Sequence, residues 1–306
     1  MKKNAVSEKI SAVVVTHNRK ELLRNCLNGI LRQTVPVNHI FIIDNDSKDG
    51  TEDMIRDKFG DNQLVEYRNL GKNTGSAGGF HEGVKMAYER GSEWIWLMDD
   101  DVTPRPDCLE KMKSYGHISK CINANKVDPS NKEYEFMFEV IFDPSICRMT
   151  FMNNISFKNG KDFAFVNVGC FEGMLIHRDI VAQIGFPDKR FFIYSDDTTY
   201  GFIASLYTNV IFVRDAYFDK KVSFKNTATP IFSYYAIRNQ FLLKEYLKKY
   251  GIYNARLFYL GIALFAGLAA TKQAVRSRDI KIPWYVLRGL FDGLRGKFYQ
   301  IGTHRK

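Results

Sequence analysis

The first hundred residues alternate between short runs rich in β-branched residues and amphipathic stretches with helical spacing. Ile10–Thr16 and His39–Asp44 are the first two such runs, and Asn18 is predicted to cap the helix between them. Six apolar residues repeat with the period of that helix: Leu22, Leu23, Cys26, Leu27, Ile30 and Leu31. This alternation predicts an α/β domain built from strand–helix–strand units around a largely parallel sheet.

Three adjacent carboxylates, Asp99, Asp100 and Asp101, directly follow the apolar strand predicted at residues 94–98. Adjacent carboxylates at the end of a buried strand repel one another unless cations or hydrogen bonds neutralise them. In extended backbone Asp99 and Asp101 face the same way, so they can share one Mg²⁺ or Mn²⁺, hard cations that prefer oxygen ligands. The alternative is a solvated acidic turn before the next helix.

Three more polar loops are predicted at the same edge of the sheet: residues 16–19, residues 44–47 and the glycine-rich residues 73–79. Open α/β sheets bind ligands outside the carboxyl ends of their strands, and glycines let backbone N–H groups approach a ligand. Each loop alone could be purely structural. Four polar loops meeting at one edge favour a binding site.

A family resemblance is carried by four segments in this order: VVVTHNR, IIDNDSKDGT, NTGSAGGF and WLMDDD. Together they resemble family 2 glycosyltransferases, whose GT-A fold is Rossmann-like, with a mostly parallel mixed sheet and helices on both faces. The galactofuranosyltransferase-like branch is the most similar, with rhamnosyltransferases close to it. The resemblance covers roughly residues 10 to 240.

The resemblance implies a nucleotide-sugar donor, preferably a UDP-sugar, above a Mn²⁺ or Mg²⁺ ion held by Asp99 and Asp101. Many relatives add a third metal ligand, usually His, near a position where this chain has Asp219; a solvated strand end explains Asp219 equally well. The residues implied to bind the donor are Thr16, Arg19, Asp44, Asn73, Gly78, Gly79 and Asp100.

The family places its catalytic base in a segment like RFFIYSDDTTYG, which implies Asp197. An inverting transfer needs a carboxylate to take the proton of the acceptor hydroxyl. The simpler alternative is that these polar residues only cap a helix, through Ser195 or Asp196. Glu172, Asp196 and Arg238 are implied to contact the acceptor, although a turn at Glu172 and a surface arginine at position 238 remain alternatives.

The net charge of +10 is unevenly divided. Residues 220–306 carry 17 Lys and Arg against three acids, a net of +14, which leaves −4 for the first 219 residues. Residues 257–270 are uncharged but are fewer than the ~20 that span a bilayer. Aromatic and basic residues alternate beyond them, which predicts helices lying on an anionic membrane surface. A helical subdomain or oligomer contact is the alternative, and no nucleic-acid motif is present.

We therefore predict a GT-A catalytic domain over residues 1–226 and a helical, basic, membrane-associating region over residues 227–306. The resemblance implies a reaction that moves galactofuranose from UDP-galactofuranose, or as the second choice rhamnose from dTDP-rhamnose, to a glycan or polyprenyl-diphosphate-linked acceptor in cell-surface glycan synthesis. Five scattered cysteines and an N-terminus without an apolar run predict a reduced, cytoplasmic protein on the inner face of the cell membrane. A nucleotidyltransferase and a non-catalytic membrane-binding protein are the rival interpretations.

Overall fold

The computed structural model describes residues 8–127, 135–136, 139–146, 148–222 and 229–301. Short 3₁₀ and π turns also occur at Lys189–Phe191 and Ala269–Gln273. The strands and helices are, in chain order, β1 Ile10–Thr16, α1 Lys20–Leu31, β2 His39–Asp44, α2 Thr51–Phe59, β3 Val65–Asn69, α3 Gly75–Glu89, β4 Trp94–Asp99, β5 Val102–Pro104, α4 Cys108–Ser114, β6 Cys121–Val127, β7 Glu135–Phe136, β8 Val140–Asp143, β9 Arg148–Phe151, α5 Ile155–Lys158, β10 Phe163–Val166, β11 Met174–His177, α6 Arg178–Ile184, α7 Asp196–Ala204, β12 Val210–Lys220, α8 Pro230–Lys249, α9 Ala255–Leu268, α10 Ala274–Ser277 and α11 Ile282–Leu294.

The main sheet runs in the order β10-β12-β6-β11-β4-β1-β2-β3, with β5 paired to β12 and β7 to β6. Strands β3, β2, β1 and β4 are parallel, whereas β11 is antiparallel to both of its neighbours. In this register Thr16 lies opposite Asp44, and Val15 lies opposite Asp99. The carboxyl ends of three adjacent strands therefore meet at one edge of the sheet, as the sequence indicated.

Both faces of the sheet are buried under helices. Ala12 and Val14 of β1 pack in a core shared with α1 and α4, while Val13 and Val15 pack in a second core with α3 and α7. Alternate residues of a strand point to opposite faces, so a strand covered on both sides is apolar throughout. The predicted α/β architecture, a mostly parallel mixed sheet between helical layers, is confirmed.

Helix α1 begins without the predicted Asn18 cap. Asn18 has a left-handed φ of 54°, and its Oδ1 accepts a hydrogen bond from the Lys48 amide at 2.7 Å. The Asn18 amide in turn donates to Oγ of Ser47 at 2.7 Å. Asparagine tolerates the left-handed region and bonds readily to nearby backbone, so Asn18 joins the loops after β1 and β2 instead of capping the helix.

The predicted C-terminal helical region is present as α8 to α11. Helix α8 packs against α11 and α9 through Ile237 and Phe241, which are buried. The Tyr234 hydroxyl donates to Asp292 at 2.9 Å. No helix within the described ranges is long and apolar enough to cross a bilayer.

Some sequence predictions fall on residues that the structure does not describe. The predicted boundary at residues 226 and 227 lies within residues 223–228, so the division into two domains stays a prediction. A strand predicted over residues 136–142 is interrupted by the undescribed residues 137–138. Cys147 is also outside the described residues, and the other four cysteines carry free thiols.

Candidate functional site

Three carboxylates converge at the carboxyl edge of the sheet. Asp99 ends β4, Asp101 follows two residues later, and Glu172 precedes β11; one oxygen of each lies within 4.8 Å of the others. Burial raises the pKa of Asp99 well above its usual range, and the neighbouring Glu172 and Asp101 charges raise it further. Asp101 is buried and the other two are partly buried, and carboxylates grouped in such a site are unfavourable without compensating positive charge.

A divalent cation fits this set of oxygen atoms. Oδ1 of Asp101 is buried and has no hydrogen-bond partner among the described residues. Oxygen ligands alone suit Mg²⁺ or Mn²⁺. Asp99 and Asp101 are thus grouped as expected, and Glu172, which was expected at the acceptor, joins them.

Two lysines that no sequence motif indicated also contact this cluster. The Lys126 ammonium donates to Oε2 of Glu172 at 3.0 Å, and the Lys220 ammonium donates to Oε1 at 2.6 Å. Burial alone would raise the pKa of Glu172, but the two lysines outweigh it and lower that pKa to about 2. Nζ of Lys220 is also 3.9 Å from Oδ1 of Asp101, so it lies among the same oxygens that would bind a metal.

Lys220→Met should therefore tighten Mn²⁺ binding to the nucleotide-free protein. Removing a positive charge from beside the ligand oxygens relieves repulsion of the ion, and we expect an effect on the order of tenfold in the dissociation constant. Electron paramagnetic resonance of free Mn²⁺ measures it directly. Lys221→Met, at the exposed neighbouring position, is the matched control and should change little. Unchanged or weaker Mn²⁺ binding in Lys220→Met would contradict this picture.

The structure does not bring Asp219 into the carboxylate cluster. Its Oδ1 accepts from Nη2 of Arg105 at 3.0 Å, and its side chain is 38% exposed. Adjacent residues of a strand face opposite sides, so Lys220 points towards the cluster while Asp219 points away. Asp219, the expected third metal ligand, thus lies outside the cluster, and the residue of β12 that faces the cluster is Lys220.

Thr16, the last residue of β1, and Arg19, in the loop after it, contact two carboxylates of the acidic triplet. The Thr16 hydroxyl donates to Asp100 at 2.7 Å, and Nη1 of Arg19 lies 3.2 Å from both Asp100 and Asp101. Burial raises the pKa of Asp100 to about 6, although these hydrogen bonds and the Arg19 charge favour its ionised form. Asp100 therefore points away from Asp99, as the alternation predicted, and joins β1 to the cluster.

The other residues expected at the donor lie nearby but chiefly shape the loops. Asp44 is buried and accepts hydrogen bonds from the Tyr67 hydroxyl at 2.6 Å and the Ser47 amide at 2.9 Å. Oδ1 of Asn73 accepts from the Gly75 amide at 2.9 Å, which forms the turn before α3.

The predicted donor glycines Gly78 and Gly79 lie buried in the first turns of α3. A Cβ on Gly79 would come within 2.5 Å of Cγ1 of Val15, and one on Gly78 within 2.3 Å of Oγ1 of Thr74. Both positions therefore require glycine for close packing, against β1 in one case and against the preceding turn in the other.

The second acidic pair opens helix α7. Asp196 is buried and accepts from the Ser76 hydroxyl at 2.9 Å, which joins α7 to the glycine-rich segment. Burial raises the pKa of Asp196 to about 7, and the charge of Asp197 adds to the shift. Burial also raises the pKa of Asp197, whose Oδ1 accepts from the Thr198 amide at 2.6 Å.

Asp197 lines a cavity of about 160 Å³ together with Gly169, Cys170 and otherwise mostly apolar residues. Helix α7 can approach residues 169–170 only because Gly201 has no side chain: a Cβ there would lie 1.9 Å from the Gly169 amide nitrogen. The charge of Lys126 lowers the pKa of Asp197, and the charge of Glu172 raises it. A titratable carboxylate thus lines a cavity and lies within electrostatic range of Glu172 in the acidic cluster.

Arg238 lies neither at an acceptor site nor on the surface, the two positions that the sequence suggested. It is fully buried in α8, and its guanidinium donates to the carbonyls of Arg190, Phe191 and Tyr299 at 2.7, 2.8 and 2.9 Å. Its neighbour Asn239 donates to the carbonyls of Phe191, Ile193 and Tyr194.

These bonds hold a strained loop in place. Phe192, Tyr194 and Ser195 all have left-handed φ angles, of 64°, 77° and 63°, just before Asp196 and Asp197. Such angles are costly for residues other than glycine and persist only where surrounding contacts enforce them. Arg238 and Asn239 are therefore positioning residues for the acidic start of α7.

Arg238→Lys should destabilise the protein, because a single ammonium cannot serve three carbonyls that lie around a planar fork. Buried acceptors left unpaired cost about 1 to 3 kcal/mol each, so the free energy of unfolding should fall by about 2 to 4 kcal/mol. Thermal unfolding measures this loss, and Arg56→Lys on the exposed face of α2 is the control. An unchanged melting temperature together with weaker binding of the acceptor would instead support the acceptor role of Arg238.

Comparison with solved structures identifies the fold. The chain is similar to GalNAc-T7 in its crystal structure with UDP, GalNAc and Mn²⁺, with a TM-score of 0.61 and 12% identity over 95% of this chain and 58% of that chain. At this identity the likeness establishes the fold alone, and the predicted GT-A fold is confirmed.

Two relatives resemble the chain in sequence. It is 29% identical to the galactofuranosyltransferase GlfT1 of Mycolicibacterium smegmatis over 200 residues, which are 62% of this chain and 63% of that protein. It is 26% identical to the dTDP-rhamnosyl transferase RfbF of Shigella flexneri over 255 residues, 78% of this chain and 80% of that protein. The match to GlfT1 thus spans less than two thirds of that protein.

The family model described as glycosyl transferase family 2 matches residues 11–175. That range is more than half of the chain, and it includes the four motif segments as well as Asp99, Asp101 and Glu172. The chain therefore belongs to glycosyl transferase family 2.

Proposed function

We propose that this protein is a metal-dependent, inverting glycosyltransferase that uses a nucleotide-sugar donor. The observation that carries the proposal is Oδ1 of Asp101, which is buried without a hydrogen-bond partner among the described residues and lies beside Asp99 and Glu172 at the carboxyl edge of a GT-A sheet. An unsatisfied carboxylate oxygen among other carboxylates is stable when a cation is bound. A solvated acidic turn, the alternative interpretation, would leave these oxygens in water.

In this proposal Asp99 and Asp101 hold the metal, and Thr16 and Arg19 keep the acidic loop in the required conformation. A bound divalent cation would neutralise charge on the departing diphosphate. Lys220 adds a fixed positive charge at the same place, so the protein itself contributes to stabilising the leaving group.

Asp197 is proposed as the general base. Its carboxylate takes the proton of the acceptor hydroxyl, whose oxygen forms the new glycosidic bond as the bond to the nucleoside diphosphate breaks. Attack opposite the leaving group inverts the anomeric carbon. The raised pKa of Asp197 suits a base that must hold this proton, and the adjoining cavity offers space for part of an acceptor.

The proposed donor is UDP-galactofuranose, because the chain is similar to GlfT1. UDP is also the nucleotide in the GalNAc-T7 structure, which has Mn²⁺. A dTDP-rhamnose donor is the second candidate, because the match to RfbF covers more of this chain. The proposed acceptor is a glycan, free or linked to a polyprenyl diphosphate, at the inner face of the cell membrane.

A thermal-shift panel of UDP, dTDP and GDP, each with and without Mn²⁺, tests the donor assignment. A ligand that binds only the folded state raises the melting temperature by mass action. We expect UDP with Mn²⁺ to stabilise the protein most. Stabilisation by dTDP and not by UDP would transfer the assignment to rhamnose, whereas no response to any nucleotide with Mn²⁺ would contradict the transferase proposal.

A further inference from the structure

Helix α9 leaves a continuous apolar stripe uncovered. Leu260, Leu264 and Leu268 follow one another at four-residue spacing, and each is more than half exposed. Phe258, Ile262 and Ala266, on the opposite side of the helix, are buried. Residues four apart lie on one side of a helix, so the exposed leucines form a single row.

Helix α11 repeats this arrangement. Trp284, Leu287, Phe291 and Leu294 are each more than half exposed, at spacings of three and four residues. Ile282, Val286 and Gly289 on the other side are buried. Between the two helices Val275 and Ile280 are 79% and 90% exposed. Soluble surfaces rarely carry so many large apolar side chains together unless they bind something.

The two stripes face away from the same helix. Phe258 and Ile262 of α9 pack on Phe241 of α8, and Ile282 and Val286 of α11 pack on Ile237 of α8. Leu290 of α11 also packs on the cluster of Phe241, Phe258 and Ile262, so α9 and α11 adjoin on α8, and each turns its exposed side away from it. We call these two stripes, with Val275 and Ile280, the α9–α11 face.

Positive charge accompanies the α9–α11 face. The guanidinium of Arg295 lies 3.7 Å from the centre of the Phe291 ring, and that of Arg288 lies 5.6 Å from the Trp284 ring. Residues 255–301 contain eight Lys and Arg but only two acids, Asp279 and Asp292. Asp292 is buried, accepts a hydrogen bond from Tyr234 and lies 3.8 Å from Nε of Arg288, so it offsets the charge of that arginine, while residues 255–301 keep a net charge of 8 − 2 = +6.

We propose that the α9–α11 face binds an anionic lipid bilayer. Leucine side chains would enter the boundary between headgroups and acyl chains, Trp284 would lie at the interface, and the arginines would meet lipid phosphates. A second copy of the chain fits less well, because a two-fold contact would set this basic surface against itself. The inference extends the proposed function, since a lipid-linked acceptor would be held at such a surface.

Vesicle co-sedimentation of the full chain tests the proposal, with vesicles of phosphatidylcholine alone or mixed with equal phosphatidylglycerol. We expect binding to the mixed vesicles, weaker binding to phosphatidylcholine, and only partial release by high salt, because apolar burial is not screened. Leu264→Glu combined with Leu287→Glu should lower the affinity for mixed vesicles at least tenfold. Both positions are exposed, so folding should persist, which circular dichroism checks.

Phe165→Glu is the matched control, since Phe165 is 56% exposed on β10, outside the C-terminal helices, and its substitution should leave vesicle binding unchanged. Absence of wild-type binding at low salt would overturn the proposal, as would equal binding by the double variant. A wild-type dimer that the double variant converts to monomer, without vesicle binding, would also overturn it and identify a second copy as the occupant. No donor or acceptor is present, so failure here would leave the transferase proposal intact.

Discussion

Asp197→Asn should lower turnover by about 10²- to 10⁴-fold while leaving Mn²⁺ and UDP affinity near wild type. Asparagine keeps the shape of the side chain but cannot take a proton from the acceptor hydroxyl. Because burial raises the pKa of Asp197, wild-type turnover should increase with pH through a midpoint above that of an ordinary aspartate. The variant should lack this increase, and initial rates across a pH series measure both effects.

Two outcomes would assign Asp197 a different role. If the variant loses UDP or Mn²⁺ affinity but keeps its turnover at saturation, Asp197 binds the donor, and Asp196 becomes the next candidate for the base. If turnover, affinity and pH profile are all unchanged, the residue only begins helix α7. Asp57→Asn, at an exposed position of α2, controls for the general effect of removing a carboxylate.

Asp99→Ala and Asp101→Ala should each abolish detectable transfer and weaken Mn²⁺ binding by more than about 100-fold. Residues that merely orient metal ligands contribute about 10- to 100-fold, and a direct ligand should exceed that. Asp99 is partly buried among like charges, so Asp99→Ala should not lower the melting temperature in EDTA. Calorimetric titration with Mn²⁺ and melting curves in EDTA together separate metal loss from misfolding.

Asp100→Ala is the matched comparison for these two variants. Its carboxylate binds Thr16 and Arg19 and is not one of the three grouped carboxylates, so metal affinity should change less. Normal transfer by Asp99→Ala or Asp101→Ala would show that the acidic triplet is only a turn.

The convergence of the strand ends could be predicted because it depends on local patterns. Apolar runs of strand length specify β1, β2 and β4, and parallel pairing then brings Thr16, Asp44 and Asp99 to one edge. Both steps follow from periodicity and topology rather than from side-chain packing. The same reasoning placed Asp99 and Asp101 on one side and Asp100 on the other.

The choice between Asp219 and Lys220 could not be predicted in this way. Between the pairs Phe212–Asn123 and Tyr217–Asn125, β12 has three more residues than β6, and a shift by an odd number of residues reverses which side chains face the site. Spacing along the chain identified the end of β12 as the segment near the acidic cluster. It did not show that Lys220, rather than Asp219, faces the cluster. Lys220 could be identified only from the pairing of β12 with β6 in the folded protein.

Arg238 was misjudged because burial of a charge depends on distant partners. Its carbonyl partners come from residues 190–191 and from Tyr299, about 48 and 61 positions away in sequence. The sequence predicted a helical region here, but no local pattern predicts the strained loop before α7 or the packing of Tyr299 against the arginine.

Composition alone predicted a basic, amphipathic C-terminal region. It did not show which side of each helix is left exposed.

Calorimetric titration of the protein with UDP, in Mn²⁺ and in EDTA, is the most direct test of the central claim that this acidic cluster is a metal-dependent site for a nucleoside diphosphate. We expect measurable UDP binding with Mn²⁺, at least a tenfold loss in EDTA, and the same weak binding under both conditions for Asp101→Ala. Equal UDP affinity with and without Mn²⁺, or no binding in either, would contradict it.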